Sequence, residues 1–322
     1  MVTKPDAFSG RMVAPDAAPL LEAFRDDGGR PYHEYTVDQV RDRYETSCAA
    51  NGLAPEKVHR VDDYAVGDFE VRVYDPRDAG DVPAPVILFL HGGGWVMGSL
   101  SSHDRLVRRL STATGLPAVA VDYRLAPEHP YPAAIEDCRD ALRWLGDPDA
   151  GHGLAVDSIV LAGDSAGGQL AAVLAIESAR DPQRVPISAQ VLIHPVTDLA
   201  GEGSSYERIT AGFPFVADTM RWFAGLYVPA EVDREAGDLS PLRAELPEGM
   251  APAYVLTVDN DPLADEGAAY AAALARAGTT VHYDHLGGYS HGIMTSAGRI
   301  PTAERKLMEA AAFIREHARP IR

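Results

Sequence analysis

Short apolar runs alternate with helical patterns along most of the chain, and this alternation restricts the possible folds more than any other feature. Six runs have the apolar density of strands that are buried on both faces. They are PVILFL at 85–90, PAVAV at 117–121, SIVLA at 158–162, AQVLI at 189–193, YVLTV at 254–258 and TVHYDHL at 280–286. Helical spacing is found at 102–115, 133–146, 166–180, 263–277 and 302–318. Together they predict an α/β fold, with a mostly parallel central sheet and helices on both faces.

Three regions depart from this alternation. Polar and apolar residues alternate over 57–75, which predicts an antiparallel hairpin that leads into the sheet. Residues 1–50 are polar, with helix-like stretches near 16–26 and 37–50, and residues 200–250 contain no good buried strand. An insertion at the carboxyl ends of parallel strands lies where ligands bind, so we favour a lid over a purely structural excursion.

The lid hypothesis divides the chain into a catalytic core and a helical cap. We expect residues 1–50 and 200–238 to form the two parts of the cap. Residues 51–199 and 239–322 would then form the two parts of the core, and a chain of 322 residues has the length of one large domain with a sub-domain.

The charge balance excludes several classes of protein. The chain has 29 Lys and Arg against 47 Asp and Glu, a formal net charge of −18. This argues against nucleic-acid binding and against adhesion to an anionic membrane surface, since both depend on clustered basic residues. Cys48 and Cys138 are the only cysteines and form no CxxC motif, which disfavours a zinc ribbon or a disulfide scaffold.

The sequence also suggests where the protein is located. No run approaches 18 apolar residues, so we expect no membrane span. Residues 1–19 lack a continuous apolar segment of the kind found in secretory signals, and we therefore expect a cytoplasmic protein.

The strongest local motif is GDSAGG at 163–168. It follows the strand SIVLA and precedes a helical stretch, which is the strand–turn–helix setting of a G-x-S-x-G nucleophile elbow. In such a turn the Ser165 hydroxyl stands free at the carboxyl edge of the sheet, above a helix N-terminus that favours negative charge. The same glycine spacing occurs in phosphate-binding loops, but Gln169 and Leu170 stand where those loops need Lys and Ser or Thr.

A second motif, HGGG at 91–94, comes directly after the strand PVILFL. Consecutive glycines allow the backbone to lie flat and to direct amide groups into a cleft, where they can bind an oxyanion. We interpret His91 as structural, because the base that a serine nucleophile needs is expected later in the chain.

Four histidines lie far enough along the chain to serve as that base. His282 and His285 lie inside a predicted strand, and His317 lies in the terminal helix. His291 follows the strand in the loop GGYSHG, from which its side chain can reach over the sheet edge. We therefore predict His291 as the base.

The acid that orients the base is expected at the carboxyl end of the strand YVLTV. Asp259 and Asp261 both lie there, and position alone does not separate them.

The segment HYDHLGGYSH also resembles a cluster of metal ligands. The two-residue period of a strand places His282 and Asp284 on one face and His285 on the other, which argues against such a site. The chain has no HExxH motif. We expect neither a metal nor a cofactor.

In its motifs the chain resembles the hormone-sensitive-lipase-like family of α/β-hydrolases, particularly the microbial carboxylesterases with GDSAGG. The motifs that carry the resemblance are HGGG (91–94), YRLAPEHPYPAAIED (123–137), GDSAGG (163–168), MRWFAGLY (220–227), SPL (240–242), DPLADEG (261–267) and SHG (290–292). The resemblance covers the chain from about residue 60 to its C-terminus. It implies the α/β-hydrolase fold with a cap that combines an N-terminal segment with an insertion.

The resemblance also implies roles for individual residues. Ser165 matches the nucleophile and His291 the base. Asp261 matches the acid, in preference to Asp259. The amides that match the oxyanion donors are those of Gly93, Gly94 and Ala166. The chain departs from the family pattern at the residue before Asp261, where an aromatic is frequent, and after Gly292, where phenylalanine is common.

The expected function is that of a serine carboxylesterase. It would cleave short acyl or small aromatic esters through a covalent acyl-enzyme. Its partner would be a small ester rather than a nucleic acid, and the resemblance allows a homodimer. Two alternatives stay open: cleavage of amides or formamides by the same residues, and a relative that binds a small molecule without catalysis.

Overall fold

An eight-stranded sheet forms the centre of the computed structural model, which describes residues 11–78, 82–181 and 186–318. The strands are β1 (Arg60–Val66), β2 (Phe69–Asp75), β3 (Ala84–Leu90), β4 (Ala118–Asp122), β5 (Val156–Asp164), β6 (Ile187–Ile193), β7 (Ala253–Asn260) and β8 (Val281–Ser290). Their order across the sheet is β1-β2-β4-β3-β5-β6-β7-β8. Strand β2 is antiparallel to β1 and β4, and the other pairs are parallel. The predicted mostly parallel sheet and its hairpin are confirmed.

Helices cover both faces of the sheet. In the described ranges they are α1 (Ala18–Asp26), α2 (Val37–Asn51), α3 (Leu100–Thr114), α4 (Ala133–Gly146), α5 (Ala166–Arg180), α6 (Ser204–Arg208), α7 (Ala217–Tyr227), α8 (Ala264–Arg276) and α9 (Pro301–His317). Apolar residues of α4, α5 and α8 pack on one face of the sheet, and those of α3 and α9 pack on the other.

The alternation of side chains along each strand divides the core between these two faces. In β3, Val86, Leu88 and Leu90 join the cluster with α5, whereas Ile87 and Phe89 join the cluster with α9. All five side chains are at most 1% exposed. A strand that is apolar at every position is therefore explained by its burial on both sides, as expected for a parallel sheet between helix layers.

The N-terminal segment and the insertion between β6 and β7 contact each other. The segment between β6 and β7 holds α6, α7 and a short 3-10 turn (Pro241–Arg243), with no strand among these described residues. The Tyr32 amide donates a hydrogen bond to the Pro214 carbonyl at 3.0 Å, and His33 Nδ1 lies 2.9 Å from Thr219 Oγ1. The N-terminal segment, through the residues between α1 and α2, is thus in direct contact with the insertion.

The proposed boundaries of cap and core extend past the part of the chain that the structure describes. Residues 1–10 of the predicted segment 1–50, and residues 319–322 at the other end, lie outside it. The division at 50, 199 and 238 stays a prediction. Within the described ranges, no helix is both long enough and apolar enough to cross a membrane.

Candidate active site

The turn between β5 and α5 presents Ser165 in a strained backbone conformation. β5 ends at Asp164 and α5 begins at Ala166, and Ser165 between them has φ 55° and ψ −118°. A non-glycine residue adopts such a positive φ only where its surroundings hold it there. A Cβ on Gly167 would lie 1.9 Å from the Leu90 carbonyl oxygen, so only glycine permits this close approach of helix and strand. The structure confirms the predicted strand–turn–helix setting of the motif.

Two further side chains join Ser165 in a chain of hydrogen bonds. His291 follows β8, and its Nε2 lies 2.8 Å from Ser165 Oγ. The other ring nitrogen, Nδ1, lies 2.7 Å from Asp261 Oδ2. Asp261 is 1% exposed, and its Oδ1 accepts a hydrogen bond from the Leu263 amide at 2.9 Å. The carboxylate is therefore fixed on both oxygens, and it favours the tautomer that carries its proton on Nδ1.

Asp259 points away from this chain of hydrogen bonds. Its carboxylate lies 3.6 Å from Arg11 Nη2, and its side chain is 36% exposed. Asn260, between the two aspartates, is buried and binds the N-terminal segment. Its Oδ1 accepts a hydrogen bond from Arg11 Nε at 2.6 Å, and its Nδ2 donates one to the Met12 carbonyl at 3.0 Å. Of the two acids left open by position, Asp261 is the one that contacts His291.

The glycine loop, residues His91–Gly94, lies beside the Ser165 turn. Gly93 and Gly94 line the same cavity as Ser165 and His291. Ala166 is the first residue of α5, and a backbone amide at that position has no acceptor within its own helix. Gly93 and Gly94 thus share a cavity with Ser165, and Ala166 is its neighbour in the chain; their role as oxyanion donors stays a prediction.

A buried network holds the glycine loop from behind. The Gly92 amide donates to Asp164 Oδ1 at 2.9 Å, and His103 Nε2 lies 3.2 Å from the same oxygen. Burial by itself would raise the pKa of Asp164, but the charge and hydrogen bond of His103, together with the Gly92 amide, hold it well below its ordinary value. The carboxylate that precedes Ser165 thus stays ionised and fixes the loop.

His91 is part of this support and lies outside the chain of hydrogen bonds that joins Asp261, His291 and Ser165. Its ring stacks on Tyr123 with centroids 4.2 Å apart, and Tyr123 Oη donates to the His91 carbonyl at 2.7 Å. Burial, followed by the proximity of His103, lowers the pKa of His91 to about 3, so the ring is neutral. These contacts agree with the structural interpretation of His91.

Comparison with known proteins assigns the family. A family model described as the α/β-hydrolase fold matches residues 87–295. An ethyl acetate hydrolase of Pseudomonas putida is 34% identical over 305 residues, 92% of this chain and 96% of its own length. The chain belongs to the hormone-sensitive-lipase-like α/β-hydrolases. This hydrolase is also 36% identical to the carboxylesterase NlhH of Mycobacterium tuberculosis, over 91% of its own chain and 93% of that protein.

Solved structures agree with this assignment. The structure of a hyperthermophilic esterase from the archaeon Pyrobaculum calidifontis superimposes with a TM-score of 0.88 at 34% identity, over 95% of this hydrolase and 98% of that chain. A thermostable esterase from Pseudomonas putida superimposes with the same TM-score at 29% identity. Together with the named relatives, these matches make the protein a carboxylic ester hydrolase.

The hydrolase places one further histidine against His291, and the sequence motifs did not indicate it. His194 follows β6, has φ 34° and is 1% exposed, and its ring centroid lies 4.2 Å from that of His291. Neither of its ring nitrogens has a hydrogen-bond partner among the described residues. Burial and then the neighbouring His291 lower the pKa of His194 to about 4, so it is uncharged near neutral pH. Its position at the carboxyl end of a parallel strand was the available signal.

Potential metal ligands also come together at this point. In the described ranges one such group exists, His194, Asp261 and His291, with donor atoms within 4.8 Å of one another. Two imidazoles and a carboxylate suit Zn²⁺ in principle. The direct contact of 2.7 Å between His291 Nδ1 and Asp261 Oδ2 leaves no space for an ion between them, because each ligand bond needs about 2 Å. The arrangement fits a hydrogen-bonded pair better than a metal site.

The histidines of β8 are used elsewhere. His282 stacks on Tyr254 with centroids 5.1 Å apart, and His285 Nδ1 lies 2.8 Å from Thr257 Oγ1. Asp284 pairs with Lys306 at 2.6 Å. The set that resembled a metal cluster in the sequence is therefore divided among three separate contacts.

A cavity of about 610 Å³ opens beside Ser165. Its wall along α1 and the insertion is mostly apolar, whereas the wall along α2 carries hydroxyl, amide and charged groups. The apolar wall includes Leu21, Phe24 and Phe213, and the more polar wall includes Tyr44, Ser47 and Asn51. Both predicted parts of the cap thus contribute to the space in which a substrate would lie.

Proposed function

We propose that this esterase cleaves short-chain acyl or small aromatic esters with Ser165 as nucleophile, His291 as general base and Asp261 as the orienting acid. The observation that carries the proposal is the continuous chain of hydrogen bonds from Asp261 through His291 to Ser165, with contacts of 2.7 and 2.8 Å. A nucleophile, a base within hydrogen-bond reach and a third group that orients the base form the arrangement that activates a serine hydroxyl.

In the first half-reaction Ser165 Oγ attacks the ester carbonyl while His291 Nε2 takes its proton. The carbonyl oxygen becomes negatively charged, and the amides of Gly93, Gly94 and Ala166 donate hydrogen bonds to it. Each such donor is worth about 10²–10³ in rate. The tetrahedral intermediate then expels the alcohol, which receives the proton from His291, and Ser165 is left acylated.

In the second half-reaction water takes the place of the alcohol. His291 removes a proton from the water as it attacks the acyl group, and the same amides stabilise the second oxyanion. Collapse of this intermediate releases the carboxylic acid and returns the proton to Ser165. Asp261 keeps its hydrogen bond to Nδ1 and stabilises the imidazolium that forms in each half-reaction.

The size and lining of the cavity support small substrates. A volume of about 610 Å³ lies within the range of small-molecule sites, about 300–1,000 Å³. The aromatic side chains that the insertion contributes suit short acyl chains and single aromatic rings. The relative from Pseudomonas putida is named for ethyl acetate, which is an ester with a short acyl chain. We propose that residues 1–50 and 200–238 act as the cap that limits the length of the acyl chain.

A serine-directed test separates this proposal from the alternatives. Wild-type protein should hydrolyse a chromogenic acetate and should react covalently with a fluorophosphonate probe, while Ser165→Ala should lose both properties and keep its circular dichroism spectrum. A matched ester and amide pair should show cleavage of the ester only. Hydrolysis by Ser165→Ala at the wild-type rate would remove Ser165 from its role, and a wild type that binds esters without reacting would indicate a binding protein.

A further inference from the structure

The imidazole of His291 is in contact with a ring from the insertion. Phe215 lies in the segment that precedes α7, and its ring stacks on that of His291 with centroids 4.1 Å apart and planes inclined by 25°. Phe215 is 5% exposed and the His291 side chain 9%. The contact is therefore a largely desolvated face-to-face stack between an aromatic ring and a titratable one.

Further aromatic contacts connect this stack to the glycine loop. Phe215 stacks with Phe223 of α7 at 6.5 Å and 22°. The Phe223 ring lies over Gly94, where an added Cβ would come within 2.5 Å of it. Beside it, Trp95 stacks on Tyr227 of α7 with centroids 4.4 Å apart. The insertion therefore touches both His291 and the glycine loop that lines the cavity.

We propose that Phe215 is a positioning residue for the general base, and that its ring stabilises the imidazolium form of His291 during catalysis. The inference rests on the proposed triad. When Ser165 transfers its proton to His291 Nε2, the imidazole gains a positive charge directly against the electron-rich face of Phe215. A cation over an aromatic ring within about 6 Å is attracted to it, and more strongly when water is excluded. Phe215 itself neither gives nor takes a proton.

The charged and titratable groups around His291 do not by themselves account for all the stabilisation of its imidazolium form that we propose. Asp261, which follows β7, supplies the negative charge at Nδ1. His194, which follows β6, is neutral near pH 7 and adds no opposing charge there. Asp164 is a second buried carboxylate, at the end of β5, but it is engaged by His103 and the Gly92 amide. Phe215 approaches His291 from the insertion. Because the two rings stack, the aromatic face can attract the positive charge of the protonated imidazole, which an aliphatic side chain could not do.

The decisive comparison is between Phe215→Leu and Phe213→Leu. Both variants make the same chemical change, two residues apart, in side chains that line the same cavity. The ring of Phe215 is the one that stacks on His291 with centroids 4.1 Å apart. We would measure kcat and KM for a chromogenic acetate between pH 4.5 and 9. Loss of the ring at 215 should lower the plateau of kcat about 2- to 30-fold and move the acid midpoint of the profile down by about 0.3–1.5 pH units.

The control should respond differently. Phe213→Leu should act on KM, because it alters the cavity wall, and should keep the midpoint of the wild type. Phe215→Tyr keeps an aromatic face and should restore the wild-type midpoint. Phe215→Met refills the space without a ring, so it should reproduce the shift and provides a second test if the leucine variant does not fold.

Equal midpoints in the wild type, Phe215→Leu and Phe213→Leu would overturn the inference. So would a shift in Phe215→Tyr as large as that in Phe215→Leu, because the effect would then arise from packing and not from the aromatic face. The proposed triad is tested separately by Ser165→Ala: if that variant is inactive while the midpoints coincide, the triad stands and only the role of Phe215 is lost.

Discussion

A single added methyl group on Gly94 would test whether the glycine loop must keep its present position. Gly94 has φ 61°, which costs an alanine about 1–2 kcal/mol. Its Cβ would lie 2.5 Å from the ring of Phe223. Because carbon atoms in contact prefer about 3.5–4.0 Å, the ring or the loop has to move by about 1 Å. A displacement of about 1 Å in a catalytic arrangement costs about a hundredfold in rate.

We therefore expect Gly94→Ala to lower kcat by about 10²–10³, the cost of losing one oxyanion donor. KM for a small acetate should change much less, since the amide acts on the charged intermediate. The assay is steady-state hydrolysis of a chromogenic acetate, together with the rate of fluorophosphonate labelling.

Gly225→Ala is the matched control for this substitution. Gly225 lies on the exposed side of α7, two residues after Phe223, and an added Cβ meets nothing within 4 Å. Alanine there should leave kcat unchanged and raise the free energy of unfolding by about 0.5–1 kcal/mol. If folded Gly94→Ala has a kcat within threefold of that of Gly225→Ala, the role given to the Gly94 amide is wrong.

Two more predictions concern the carboxylates near the site. Asp261→Asn should lower kcat about 10⁴-fold, because an amide no longer favours the tautomer with Nδ1 protonated. The kcat of Asp259→Asn should stay within a few-fold of the wild-type value. If steady-state kinetics give the larger loss to Asp259→Asn, the acid is misassigned. The folded protein holds the pKa of Asp164 below its ordinary value, so this carboxylate stabilises the fold above about pH 4 and loses that contribution as the pH falls. The free energy of unfolding, measured with urea, should therefore fall less between pH 7 and pH 3 in Asp164→Asn than in the wild type. An equal decrease in both proteins would contradict this role of Asp164.

The residues of the proposed triad could be identified in the sequence because each of them follows a strand directly. Ser165 comes after β5, Asp261 after β7 and His291 after β8, and the carboxyl ends of parallel strands meet at one edge of the sheet. The apolar runs marked the strands, and the strands then located the side chains. Choosing Asp261 over Asp259 required the family motif, since two aspartates two residues apart occupy almost the same position along the chain.

The end of β8 shows where the sequence was insufficient. The prediction ended this strand at residue 286, before two glycines, but it continues to Ser290. The Gly288 carbonyl accepts a hydrogen bond from the Ala14 amide at 2.9 Å. A pairing between residues so far apart in the chain is invisible to a local pattern, and glycine at this point suggested a turn.

The ring contacts of His291 could not be predicted from the sequence either. Phe215 lies in a segment without strand or helix periodicity, so neither its direction nor its neighbour could be inferred. His194 lies at a strand end, but its neighbour His291 is almost 100 residues away, and only the order of strands β6, β7 and β8 brings the two rings together. Local rules identify strand ends, whereas the packing between them depends on the whole sheet.

The hydrogen bonds that join Arg11 and Met12 to Asn260 have a consequence for protein synthesis. Arg11 and Asn260 are 249 positions apart, so at about 5–20 residues per second the ribosome adds the partner about 10–50 s after the first. Until then the N-terminal segment lacks this anchor, although its contacts with the insertion, Tyr32 to Pro214 and His33 to Thr219, can already form. We therefore expect a polypeptide that stops before residue 260 to be inactive, because it lacks this anchor as well as Asp261 and His291, the proposed acid and base.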